Sequence, residues 1–204
     1  MTRVLCVNLS YATERDYRRL YDLASPERRA RANACRRRDD ALRCLAADVL
    51  MRRVLGPHYS RVEKTPEGKL FLPNRNDLHF NLSHSGYWAV IAWGPAEVGV
   101  DVEDPDRDLN MDAIARRFFA EEERQYVFSD ESGQQQRFFE IWTAKESYLK
   151  YLGTGLKRNL SSFSVLSPDP GIRFHRVTLP LGAPLCLCTT EENYRVELVD
   201  VYLL

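Results

Sequence analysis

The chain has 204 residues, 44% hydrophobic and 28% charged, which suits one large globular domain or two small halves with a real core. It holds no run of eighteen apolar residues, so no membrane-spanning helix is expected, and Met1–Val7 is too short an apolar stretch for a secretory signal; a cytoplasmic location is expected. Lys plus Arg (29) balance Asp plus Glu (29), which argues against a general nucleic-acid binder. The charge is unevenly spread: residues 1–60 carry 13 Arg against 7 acidic residues, and residues 97–150 carry 14 acidic against 7 basic. A basic part facing an acidic part suits a polyanionic ligand on one side and a metal on the other. Two solvated helix faces explain the same counts equally well.

In chain order, Met1–Val7 reads as a buried first strand. Ser25-Pro26 is an N-cap followed by proline at the first helical position. No glycine or further proline intervenes before Gly56-Pro57, and Leu42, Leu45, Ala46, Val49, Leu50 and Val54 recur at helical spacing, so one long helix is predicted from residue 26 to residue 55. A polar loop through Lys64–Gly68 precedes short strands at Leu70–Leu72, Phe80–Ser83, Tyr87–Trp93 and Val98–Glu103. Past an Asp- and Pro-rich loop, helices are predicted over Met111–Phe128 and Gln134–Leu152, the second stopped by Gly153 and Gly155. Ser161–Leu204 is strand-like. The five cysteines lack zinc spacing, since Cys186-Leu187-Cys188 has no second pair or nearby histidine, and they read as reduced, packed side chains.

This order implies an α+β fold: a pair of α/β halves, residues 1–99 and 100–204, each a small antiparallel sheet packed with a long helix. Short turns between neighbouring strands favour antiparallel pairing over a doubly wound parallel sheet.

Three segments carry chemistry. Val98-Gly99-Val100-Asp101-Val102-Glu103 alternates strictly, so the valines face one side while Gly99, Asp101 and Glu103 face the other. Two carboxylates on one face, with no basic residue in the segment, suit a hard divalent cation such as Mg²⁺; the bland alternative is a solvated acidic edge. On a helix, Trp142, Glu146 and Lys150 form one stripe beside the apolar Phe138, Ile141, Tyr148 and Leu152. A surface Glu–Lys pair would contribute only about 0.3–0.5 kcal/mol, but a polar stripe bordering the buried one favours a site. Phe80-Asn81-Leu82-Ser83-His84-Ser85-Gly86 opens from a strand into small polar residues able to hold phosphate oxygens, by itself a weak signal.

Together these segments resemble the 4′-phosphopantetheinyl transferases of the surfactin-synthetase-activating type. The Gly-x-Asp-x-Glu strand appears as Gly99–Glu103. The helical motif appears as Trp142-Thr143-Ala144-Lys145-Glu146-Ser147-Tyr148-Leu149-Lys150, followed by Gly153-Thr154-Gly155-Leu156. Phe80–Gly86, the basic Ser25–Arg29 and Asp40–Arg43, and Gly68-Lys69 match further motifs, in order, over about residues 1–165. The resemblance implies a pseudo-twofold monomer that moves the phosphopantetheine arm of CoA to a serine of an apo acyl or peptidyl carrier protein, often in secondary metabolism, with Mg²⁺. It implies that Asp101, Glu103 and Glu146 ligate the metal. Arg28, Arg31, Arg43 and His84 would hold the 3′-phosphate and adenosine end, and Lys69, Ser83 and Lys150 would contact the donor's phosphates. Glu146 and Lys150 would be catalytic; Glu146, directly or through a metal-bound water, is the nearest carboxylate to act as base for the serine. Carrier docking would fall in Leu109–Phe119, whose Met111, Ile114 and Phe118 either present an apolar patch or pack inside. The competing readings are a non-catalytic CoA- or carrier-binding module and a Mg²⁺-dependent phosphodiesterase.

Overall fold

The computed structural model describes residues 1–155 and 158–204. Strand β1 (Thr2–Asn8) is followed by helix α1 (Glu14–Leu23), capped reciprocally by Thr13 and Asp16. Helix α1 was not predicted, although its capping box and the helical spacing of Tyr17, Leu20, Tyr21 and Ala24, which pack on the core, were signals for it in the sequence. The single helix predicted over residues 26–55 is two, α2 (Pro26–Asn33) and α3 (Arg38–Leu55). The break has a packing cause. Ala32 and Ala41 enter the same core, which requires the chain to fold back through the arginine-rich 34–37 link.

After α3 come a short hairpin of β2 (Glu63–Lys64) and β3 (Leu70–Phe71), then β4 (His79–Ser85), β5 (Trp88–Gly94) and β6 (Val98–Val102). The helix predicted over Met111–Phe128 is also divided, into α4 (Met111–Phe118) and α5 (Glu121–Val127). Phe119 is extended and fully buried between them, and Glu123 Oε2 accepts from the Ala120 N–H at 2.7 Å to start α5. Helix α6 (Gln134–Leu152) ends where predicted, on Gly153 at φ 68°, a left-handed position that glycine adopts without strain. Strands β7 (Arg173–Thr178), β8 (Pro184–Thr189) and β9 (Tyr194–Asp200) complete the chain.

The result is the expected two-part α/β architecture. One sheet runs β4-β5-β1-β9 and the other β6-β8-β7, with antiparallel neighbours except for the parallel β1–β9 pair. That pair joins the last strand of the chain to the sheet containing the first. Period-two alternation divides the side chains of the four-stranded sheet. Leu5, Val7, Ala89 and Ile91 meet α3, while Val4, Cys6, Val90 and Ala92 meet the second sheet through Val98, Val100, Val102, Leu185 and Leu187. On the far face of that second sheet, Cys186 packs with Phe138, Ile141 and Ala144 of α6. Burial pushes the Cys6 and Cys186 thiols up to about 12, and the five cysteines are free. Among the described residues no helix is long and apolar enough to cross a membrane.

Candidate active site

Strand β6 is an edge strand, so its outer N–H groups need partners from elsewhere. Strand β4 supplies them through side chains. Asn81 Oδ1 accepts from Val100 N at 3.0 Å and Ser83 Oγ from Val102 N at 3.3 Å. The two sheets are thereby held in register beside Asp101. On the other side of β6, α6 approaches to backbone contact at Gly99. A Cβ there would lie 2.0 Å from the Ser147 carbonyl oxygen and 2.3 Å from Tyr151 N. The glycine of the strand motif therefore exists to let the helix in, and the helix brings Glu146 and Lys150 over the carboxylates.

Lys150 Nζ donates to Asp101 Oδ1 at 2.6 Å, to Ser83 Oγ at 2.9 Å and to the Val100 carbonyl at 3.1 Å. Ser83 in turn donates to the same Asp101 oxygen at 2.9 Å. Asp101 is 5% exposed, and its second oxygen, Oδ2, is buried with no hydrogen-bond partner. Burial pushes this carboxyl above its ordinary range; Glu103 adds to the rise and Lys150 opposes it. Glu103 follows β6 and extends its ladder by donating its N–H to the Pro184 carbonyl at 3.0 Å. Its carboxylate accepts from Ser85 Oγ at 2.9 Å and from Trp142 Nε1 at 3.0 Å. Glu146 is half-buried and has no hydrogen bond or ion pair among the described residues. Its carboxyl is pushed up to about 7, first by burial and then by the charges of Asp101 and Glu103, against the pull of Lys150.

Asp101 is the carboxylate in contact with the Lys150 ammonium, and the charges of Asp101, Glu103 and Lys150 all act on Glu146. Among the described residues no group of three or more His, Cys, Asp and Glu side chains is arranged as a ready metal site. Lys150 holds one Asp101 oxygen, while Ser85, Trp142 and, at 3.9 Å, Arg107 hold the Glu103 oxygens, so these carboxylates are tied to protein groups rather than closed into a cage.

A cleft of about 330 Å³ is lined by Asp101, Glu103 and Lys150 together with Arg28 and His84, and Glu146 lines a second cavity with Lys69 and Lys150. Arg28 leans on the fully buried Asp48, Nε to Oδ1 at 3.5 Å. Asp48 also accepts from Ser25 N at 2.9 Å and Tyr59 Oη at 2.6 Å. Arg43 bonds the Gly86 carbonyl and Asp40, and Arg31 is exposed in the last turn of α2. Ser83 and His84 are neighbours on β4, so they leave it on opposite faces, Ser83 toward Asp101 and His84 toward the arginines. The surrounding protein, then the charges of Arg43, Lys150 and Arg31, hold the His84 ring below its ordinary pKa. Lys69 lines the second cavity with Glu146 and Lys150; its ammonium donates to the carbonyls of Lys150 (2.8 Å) and Tyr151 (2.6 Å) and pairs with Glu97 at 2.7 Å.

A profile of the 4′-phosphopantetheinyl transferase superfamily matches residues 97–199. The 4′-phosphopantetheinyl transferase Sfp of Bacillus subtilis (strain 168) is 34% identical over 160 residues, 75% of this chain and 70% of its own length. The chain belongs to the 4′-phosphopantetheinyl transferase superfamily. Further similar relatives are the 4′-phosphopantetheinyl transferase psf-1 of Bacillus pumilus, 32% identical over 83% of this chain and 76% of the relative, and HetI of Nostoc sp., 33% identical over 68% and 65%.

Within this superfamily frame, the motif residues sort by place. Asp101, Glu103, Lys150 and Ser83 line one cleft with Arg28 and His84, Glu146 lies under the charges of Asp101, Glu103 and Lys150, and Arg31 and Arg43 act on His84 by charge. Leu156 of the Gly-Thr-Gly-Leu run lies outside the described residues. Met111, Ile114 and Phe118 are partly buried against the core of α6. Several residues that shape the site were given no role of their own from sequence. Ser85 and Trp142 fix Glu103, Asn81 caps an edge N–H, and Asp48 backs Arg28. Lys145, between the motif's Ala144 and Glu146, is fully buried in an ion pair with Glu123 at 2.7 Å, and also donates to the carbonyls of Leu160 and Phe163, each at 2.7 Å. A buried Asp in the middle of an apolar helical stripe was the available signal for Asp48.

Proposed function

We propose that the protein transfers the 4′-phosphopantetheine group of CoA to a serine of an apo acyl or peptidyl carrier protein, with Mg²⁺, releasing 3′,5′-ADP. The observation that carries this reading is one cleft lined by Asp101, Glu103 and Lys150 together with Arg28 and His84, with Glu146 under the charges of Asp101, Glu103 and Lys150. The donor set fits Mg²⁺. It is all oxygen, Asp101 Oδ2 is a buried acceptor without a donor, and Glu146 is destabilised as an anion by its two acidic neighbours, which a hard cation relieves. Asp101, Glu103 and Glu146 would hold the ion, which when bound draws charge from the donor's phosphate oxygens.

CoA presents a pyrophosphate and a separate 3′-phosphate, so two groups of cations are needed. Arg28, Arg31 and Arg43 offer planar forks for the 3′-phosphate, with His84 beside them at the adenosine end. Lys150 and Ser83 face the pyrophosphate. The carrier serine's Oγ attacks the phosphorus that bears pantetheine; the new Oγ–P bond forms as the P–O bond to 3′,5′-ADP breaks, and the ADP phosphate leaves with the electron pair. Lys150 Nζ stabilises charge on the phosphoryl oxygens. Glu146 is the carboxylate that would take the proton from serine Oγ. On this reading residues 1–99 supply the basic donor side and 100–204 the metal and catalytic side. One copy carries both, which supports action as a monomer.

The test is 3′,5′-ADP release with CoA, Mg²⁺ and an apo carrier domain. Release that needs all three supports transfer. Release from CoA without a carrier points to a phosphodiesterase, and binding of CoA without release to a binding module.

A further inference from the structure

Resting on that reading, and deepening it, we propose that Lys69 is a positioning residue: its ammonium locks the last turn of α6, and so Lys150, instead of contacting the donor's phosphates. An ammonium has three N–H donors. Here they meet three acceptors, the Lys150 carbonyl at 2.8 Å, the Tyr151 carbonyl at 2.6 Å and Glu97 Oε1 at 2.7 Å. The side chain is only 11% exposed, so no donor is left over for a phosphate without breaking one of these bonds.

The acceptors are informative. Carbonyls in the last turn of a helix lack intrahelical partners, and a cation there also opposes the negative end of the helix dipole. Lys150, whose carbonyl is held, is the residue whose side chain pairs with Asp101 one turn before the helix stops. The stem of Lys69 is fixed as tightly as its tip. Its backbone N–H donates to Thr65 Oγ1 at 3.1 Å and its carbonyl accepts from Thr65 N at 2.8 Å. A Cβ at Gly153 would lie 2.8 Å from Lys69 Cδ, so the glycine that ends α6 also gives the lysine passage. Glu97 completes the strut: it accepts from Val98 N at 3.1 Å and pairs with His79 Nδ1 at 3.3 Å, tying the start of β6 to β4 and to the end of α6. One ammonium therefore joins the β2–β3 hairpin, the strand carrying Asp101 and the helix carrying Lys150.

The two roles predict different kinetics. Lys69→Met keeps the stem and deletes the ammonium. As a strut, its loss lowers kcat about tenfold or more, since small misplacements of a catalytic group are costly, and leaves KM for CoA within about twofold. Glu97→Gln shifts kcat in the same direction and less, and serves alone if Lys69→Met does not fold. A severalfold rise in KM for CoA at unchanged kcat in Lys69→Met, or a Glu97→Gln variant with wild-type kcat, overturns the proposal. Hydrogen exchange of the Tyr151–Gly153 amides is read in parallel and needs no turnover. Faster exchange in Lys69→Met supports the strut even if the wild-type protein transfers nothing, a result that would count against the transferase reading alone; unchanged exchange removes the strut.

Discussion

Replacing Glu146 by Gln should make the metal-free protein more stable above neutral pH while abolishing transfer. Burial and the charges of Asp101 and Glu103 raise this carboxyl from 4.5 to about 7. Between those values the folded state binds more protons than the unfolded chain, so stability falls as pH rises through that window, and the whole penalty is present above pH 7. The difference corresponds to a ceiling of about 3 kcal/mol, reduced where solvent reaches the half-buried group. Glutamine removes the titration and keeps the shape. In EDTA at pH 8 its melting temperature should exceed that of the wild type by several degrees, at about 2–4 °C per kcal/mol for a chain of this size. The gain should vanish near pH 4.5. Thermal melts from pH 4.5 to 8 on both proteins measure it, and Mg²⁺ should raise the wild-type melt at pH 8 more than that of the variant. A Gln variant that is less stable at pH 8, or that keeps the wild-type pH slope, would refute the electrostatic account of this cluster.

Other substitutions probe the scaffold. Gly99→Ala puts a methyl 2.0 Å from the Ser147 carbonyl and should cost about 3 kcal/mol or more by forcing α6 off β6, read as a lowered urea midpoint with loss of transfer. Lys145→Met strands the buried Glu123 and should cost about 3–5 kcal/mol, with the Lys145→Met, Glu123→Gln double variant recovering part of it; equal instability of single and double variants would contradict this. Trp142→Phe removes the 3.0 Å donor to Glu103 and keeps an aromatic ring against Phe138. Isothermal titration should show weaker Mg²⁺ binding by about tenfold, and unchanged affinity would free Glu103 from its tether.

The legible parts of the fold were those where one period persisted. Helix α6 and the alternation of β6 were read directly, because a long apolar stripe and three valines each leave one solution. The two broken helices were not, because the breaks at 34–37 and 119–120 contain no glycine or proline. They arise from where Ala32, Ala41 and Phe119 must pack, which is tertiary information. At the site, spacing indicated that Asp101 and Glu103 share a face and that Glu146 and Lys150 share a stripe. It could not reveal that Ser85 and Trp142 clamp Glu103, since those contacts cross from β4 and α6 over 18 and 39 positions. Nor could it tell that the ammonium of Lys69 is spent on backbone carbonyls 81 and 82 positions away.

The most direct test of the central claim is the intact mass of an apo carrier domain before and after incubation with this protein, CoA and Mg²⁺. The account predicts a gain of one phosphopantetheine on the wild-type carrier and none when its acceptor serine is replaced by alanine or when Asp101→Ala is used as the enzyme. An unchanged mass across several peptidyl and acyl carriers, with a folded and Mg²⁺-binding protein, would contradict it.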